Sequence, residues 1–205
     1  MKVSRISSAV CAGLLSAGVA LAQDTKPAGG MPPAMSAEEK AAMEAWQKFA
    51  TPAEAHQKLA GMVGTWDAEV TSWMSPGAPT KSKGTSVNRA VMGGRWIEQK
   101  FTGDMMGMPF EGLGYTGYDN FKKKYMGTWM DNMSTAVMIS EGTFDGAGKV
   151  MTQASTMDDV MTGKPSTVRM TTTVVSPDEH LFEMFGPDPS GKEVKQMEIR
   201  YKRRK

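Results

Sequence analysis

The sequence predicts a mainly β protein: an antiparallel up-and-down β-barrel of about ten strands, preceded by one or two short helices. Three observations carry this. Beyond Trp66 helical spacing gives way to short runs rich in Val, Thr, Ile, Met and aromatic residues. Turn clusters punctuate those runs at intervals of mostly about 10–15 residues, close to the rhythm of sandwiches and barrels; they include Met92-Gly93-Gly94, Asp119-Asn120, Asp145-Gly146, Ser176-Pro177-Asp178 and Asp188-Pro189-Ser190-Gly191. The connections are short, which favours antiparallel neighbours joined as a meander. Ten strands in a row leave two open edges unless the sheet closes, so closure is expected.

The elements follow in chain order. Residues 1–22 have the three parts of a secretory signal peptide: basic Lys2 and Arg5, an apolar core over 9–21, and Ala20-Leu21-Ala22 as a cleavage site. The apolar run is too short to span a bilayer, and no second one follows. The expectation is an exported chain, periplasmic or secreted, that begins at Gln23 and keeps no integral membrane segment. Cleavage removes Cys11, the sole cysteine, and with it any disulfide or thiol chemistry. It also removes two of the 24 basic residues, so the remaining basic and acidic residues balance. A neutral chain offers no general electrostatic attraction for nucleic acid.

Residues 23–35, rich in Pro, Gly and Ala, read as a flexible leader to a single domain over 36–205. Ser36 and Glu39 form a capping box that starts a first helix. Ala42, Trp46, Phe49 and Ala50 give that helix one apolar side. Thr51-Pro52-Ala53-Glu54 signals a second, with Thr51 as its cap. Strands are expected near 66–74, 80–91, 94–102, 109–118, 123–131, 134–144, 148–157, 166–175, 179–186 and 193–203. Alternation is clear in the last, where Met197, Ile199 and Tyr201 interleave with Glu198, Arg200 and Lys202.

Several segments are similar to domain-of-unknown-function family 1579, an uncharacterised bacterial family. They are HQKLAGMVGTW (56–66), MGGRWIEQKF (92–101), FEGLGYTGYDNFKKKYMGTWMDNM (110–133) and MEIRYKR (197–203). The resemblance covers about residues 53–205 and implies a lipocalin-like, or calycin, barrel with no established activity. In lipocalin-like barrels the Trp of G-x-W closes one end and stacks under an Arg from a late strand. That implies structural roles for Gly64 and Trp66, with Arg200 or Arg203 as the stacking partner and Arg200 the one assigned. Haem-holding barrels of the nitrobindin type use a His on a late strand, where His180 stands. Their glycine-rich stretch after G-x-W is replaced here by Asp67-Ala68-Glu69-Val70, and no cofactor is assigned.

Candidate ligand-binding residues come from strand phase. Tyr125, Gly127, Trp129 and Asp131 share one face of a strand. Facing a lumen, Trp129 forms an apolar wall and Asp131 a polar handle, the composition of a small-molecule pocket. Glu98 and Glu111 lie inside expected strands; if they meet Asp131 in one cavity, paired carboxylates open acid–base chemistry. The chain has two isolated histidines and no zinc spacing, nucleophile elbow or P-loop. The function expected is binding of a small apolar or amphipathic ligand, with a carboxylate enzyme or a solid-core envelope domain as alternatives.

Overall fold

The computed structural model describes residues 35–205 apart from 75–77, 106 and 161. The expected signal peptide and almost all of the leader lie outside the described residues. Two helices, α1 (Ala37–Ala50) and α2 (Glu54–Ala60), precede ten strands. These are β1 (Gly64–Ser72), β2 (Thr80–Val91), β3 (Trp96–Met105), β4 (Met108–Asp119), β5 (Lys124–Asp131), β6 (Met138–Phe144), β7 (Val150–Asp158), β8 (Pro165–Ser176), β9 (Glu179–Pro187) and β10 (Glu193–Arg203). Each pairs antiparallel with its sequence neighbour, and β1 pairs with β10 to close the barrel. Closure gives every strand two partners and leaves no edge for another chain to join.

The helices differ from expectation in detail. Ser36 and Glu39 do form the capping box: Ser36 N–H donates to Glu39 Oε2 at 2.8 Å and Glu39 N–H to Ser36 Oγ at 3.2 Å. Thr51, expected to open α2, instead ends α1, its hydroxyl donating to Gln47 O at 2.6 Å. Pro52 and Ala53 then turn the chain, and His56 caps α2 by accepting the Ala53 N–H at 3.0 Å. The β6 strand starts four residues later than its composition suggests. Asp131 Oδ1 accepts from Met133 N and Ser134 Oγ from Ala136 N, and such side-chain bonds hold backbone that a ladder would otherwise use.

Strand alternation divides the residues between lumen and solvent. Trp66, Ala68, Ile97, Phe101, Phe110, Tyr125, Met151, Val168, Met170, Ile199 and Tyr201 are buried on the inner face. The two barrel ends are built differently. Where β1 begins and β10 ends, α2 seats Leu59, fully buried, against Ile97, Tyr125 and Met151. The Tyr125 hydroxyl donates to Ala55 O at 3.1 Å, pinning the helix over this opening. The opposite end carries the β1–β2, β3–β4, β5–β6, β7–β8 and β9–β10 connections, and neither α1 nor α2 covers it.

Candidate functional site

The α2 end is locked by a polar and aromatic assembly around Trp66. Its indole N–H donates to Met62 O at 2.9 Å, and the Arg203 guanidinium lies 4.1 Å above its ring. Arg203 also donates to Val63 O at 2.7 Å, and to Gly61 O and Pro177 O at 3.0 Å each. A Cβ on Gly64 would strike that guanidinium, and its φ of +140° disfavours any side chain, so glycine is required there. The stacking arginine is therefore Arg203 and not Arg200. Register decides this: Trp66 stands opposite Arg203 on β10, and the alternation that points Ile199 and Tyr201 inward carries Arg203 with them. Arg200 points outward and pairs with Glu179.

His180 belongs to the same assembly. Its ring meets Trp66 edge-on at 4.3 Å and stacks on Tyr201 at 4.6 Å. Burial, and then the charge of nearby Arg203, push its pKa down to about 4, so the ring is neutral at neutral pH. Burial also pushes the Tyr201 hydroxyl well above the usual phenol range. Gln99 donates to that hydroxyl at 3.4 Å and to Ser86 Oγ at 2.9 Å, while Ser86 donates to Asn88 Oδ1 at 2.8 Å. The chain of bonds ends where Asn88 Nδ2 donates to Met62 O at 2.9 Å.

The opposite end is a mouth. Trp129 and Met138 face each other across β5 and β6, and Met184 and Met197 across β9 and β10. Together with Phe182 these inward side chains are only half buried, so water reaches the inner wall from this end. The Trp129 ring lies flat on β4, over Gly112 and Gly114. A Cβ on Gly114 would fall 2.9 Å from Trp129 Cε3, and one on Gly112 would overlap the ring. Two glycines thus let the large Trp129 ring lie close against β4, where it packs, like Phe182 and Met197, on the core around Phe101, Phe110 and Ile199. Asp131 holds the ring in place, its Oδ2 accepting the indole N–H at 3.0 Å, while Oδ1 accepts from Met133 N.

Deeper on the same wall, Gln153 Nε2 donates to Ser140 Oγ at 3.3 Å. Ser155 Oγ, on the neighbouring stretch of β7, is buried without a hydrogen-bond partner.

The structure brings some predicted site residues together and separates others. Tyr125, Trp129 and Asp131 do share the inner face of β5, but at different depths. Tyr125 sits beneath α2 among Tyr118 and Phe144, whereas Trp129 and Asp131 line the mouth. Glu98 and Glu111 point outward. Glu98 accepts from the Tyr115 hydroxyl at 3.1 Å and pairs with Lys100 at 3.6 Å, and Glu111 is exposed in a shallow outer groove beside Lys100 and Met130. Of the three carboxylates only Asp131 reaches the lumen wall, so they form no acid–base pair there. Phe182, Met184, Met197 and Ser155 are not among the candidate site residues read from the sequence. Even spacing on β9 and β10 was the available signal for the first three, while nothing local marks Ser155. No group of three or more His, Asp or Glu side chains is placed to hold a metal ion among the described residues. No described helix is long and apolar enough to cross a membrane.

The fold and site define a closed ten-stranded antiparallel barrel with one end plugged by a helix and no described helix over the other. A family model described as "Protein of unknown function (DUF1579)" matches residues 51–203, and the chain belongs to that family. No curated protein matches the chain. The crystal structure of Rv2717c from M. tuberculosis resembles it with a TM-score of 0.57 at 14% identity, covering 76% of this chain and all of that one. A redesigned beta barrel aligns over 76% of this chain and all of its own, with 15% identity and a TM-score of 0.38. The first of these likenesses is one of fold alone.

Proposed function

We propose that this protein binds a small apolar or amphipathic molecule in the lumen, admitted through the mouth opposite α2. The observation that carries this reading is the set of inward yet half-exposed apolar side chains Trp129, Met138, Phe182, Met184 and Met197. Apolar surface kept wet on a concave wall is costly unless something covers it, at about 25 cal/mol per Å2. Trp129 lies close against β4 over Gly112 and Gly114, which fixes its place on that wall. The buried Ser155 hydroxyl, which bonds to no protein atom among the described residues, supplies a polar contact for an amphipathic guest. This is the arrangement expected of a lipocalin-like carrier.

A dansyl-labelled fatty acid titrated into the purified protein tests the proposal. Saturable binding at one site, with energy transfer from tryptophan, is expected. Met184→Lys and Gly114→Val, the second of which drives Trp129 off the wall, should each weaken binding by about tenfold or more. Binding unaffected by both variants, or absent altogether, would overturn it. Export is part of the same proposal and rests on the character of residues 1–22. Mass measurement of the protein from an exporting host should show a chain starting at Gln23, and retention of residues 1–22 would refute export.

A further inference from the structure

The barrel's plugged end carries an outward-facing surface with no role in the lumen. No residue of α1 is buried. Its apolar side instead faces solvent: Met43 is 50% exposed, Trp46 66% and Phe49 45%, with Trp46 and Phe49 rings 5.6 Å apart. Helices that contribute nothing to a core are normally polar all round, so an unburied apolar stripe needs a partner.

The β4–β5 turn lies beside this helix and is fixed to it. Asn120 Nδ2 donates to Phe49 O at 2.8 Å and to Thr51 O at 2.9 Å. Arg95 adds a second tie, its guanidinium donating to Ala50 O at 2.7 Å. The turn itself is rigid. Asp119 Oδ1 accepts from Phe121 N at 2.8 Å and Lys122 N at 2.9 Å, and Lys123 N donates back to Asp119 O at 2.8 Å. At its tip Phe121 is 85% exposed, and Lys122 and Lys123 follow it, both exposed. A well-held turn that thrusts a phenylalanine into water ahead of two exposed lysines, next to a helix doing the same with tryptophan and phenylalanine, has the chemistry of an interfacial anchor. On α1 the acidic Glu44 and the basic Lys48, four residues apart, share the helix side away from the apolar stripe, so the cations of this surface are Lys122 and Lys123.

We propose that α1 and the Phe121 turn together dock the plugged end onto an anionic lipid surface. Trp46, Phe49 and Phe121 enter the headgroup boundary, and Lys122 and Lys123 meet lipid phosphates. Charge favours a membrane over a second copy of the chain, because an identical lysine-bearing patch facing this one would repel it. The mouth at the far end then faces away from the bilayer.

Flotation of the purified protein with lipid vesicles tests this. One set is phosphatidylcholine alone, and the other contains about 30 mol % phosphatidylglycerol, an anionic fraction that raises the surface potential. The expected result is binding to the anionic set that weakens with added salt. Lys122→Ala with Lys123→Ala should reduce it by about 25-fold, at roughly fivefold per lysine. Phe121→Ala and Trp46→Ala should each cost about tenfold. None of these side chains is buried, so far-UV circular dichroism and the melting temperature should stay at wild-type values. Equal flotation of all variants, or no flotation with anionic vesicles, would overturn the proposal. So would dimerisation in sedimentation velocity that Trp46→Ala abolishes, since the patch would then serve self-association. Loss of fatty-acid binding with vesicle docking intact would refute the lumen reading and leave this one standing.

Discussion

The two ends of the barrel solve the same problem in opposite ways. A closed sheet of ten strands must do something with the inner surface exposed at each opening. At the α2 end the openings are filled and bonded. Leu59 is fully buried, Trp66 is sandwiched between Arg203 and His180, and an unbroken series of hydrogen bonds runs from Gln99 through Ser86 and Asn88 to Met62. At the mouth the inner wall is apolar and wet, with one aspartate holding one tryptophan against bare backbone. With the proposed lumen ligand, the contrast separates stability from recognition. Substitutions at the plugged end should act on folding, and those at the mouth on what the lumen admits.

The sharpest test of that division is Trp66→Ala. Removing a 1% exposed indole leaves a cavity beside a cation and should cost about 3–5 kcal/mol, read by urea unfolding. A loss below about 1 kcal/mol would show that the plugged end is not where the fold is secured.

His180 gives a pH signature of the same end. Its folded pKa is depressed to about 4, against about 6.5 when unfolded, so the unfolded chain binds the proton more readily. Stability contributed by the neutral ring is complete above about pH 6.5 and is lost as pH falls towards 4. The full loss is on the order of 3 kcal/mol. His180→Phe should flatten this part of the profile in denaturation measured across the range, and an unchanged slope would remove His180 as its cause.

Arg203 and Arg200 form a matched pair for the next test. Arg203→Ala strands the carbonyls of Gly61, Val63 and Pro177 and should cost about 2 kcal/mol. Arg200→Ala breaks a surface ion pair with Glu179 and should cost about 0.5 kcal/mol or less after solvent screening. Equal effects would mean that stacking on Trp66 contributes nothing. A comparably small change in stability belongs to the mouth. Met184→Ala removes a half-exposed side chain and should cost under about 1 kcal/mol, yet it should weaken fatty-acid binding measurably.

Much of this plan is legible in the chain. Short β-type runs at regular spacing predict ten antiparallel strands, because turn residues and strand periodicity act locally. Closure is expected because ten strands in a row otherwise leave two open edges. The shared face of Tyr125, Trp129 and Asp131 follows from the period of two. Even the Arg200 assignment was correctable from the chain, since Met197, Ile199 and Tyr201 set a phase in which Arg203 points inward and Arg200 does not.

Other features are decided only when the strands pair. Which face of β3 or β4 is inside cannot be told from Glu98 or Glu111, which sit among residues of mixed character. Burial of Phe101 and Phe110 directs both carboxylates outward. That Gly112 and Gly114 make the bed for Trp129 depends on register between β4 and β5, a contact between strands rather than along one. The same holds for the orphaned Ser155 hydroxyl, whose lack of a partner reflects what the opposite walls present. Thr51 shows the limit at short range: it is a sound cap for either helix, and the turn that Pro52 makes toward the barrel settles which. Periodicity and turn chemistry are properties of neighbouring residues and so are written in the chain. Depth, facing and vacancy are properties of a closed wall, and come into being only when β1 meets β10.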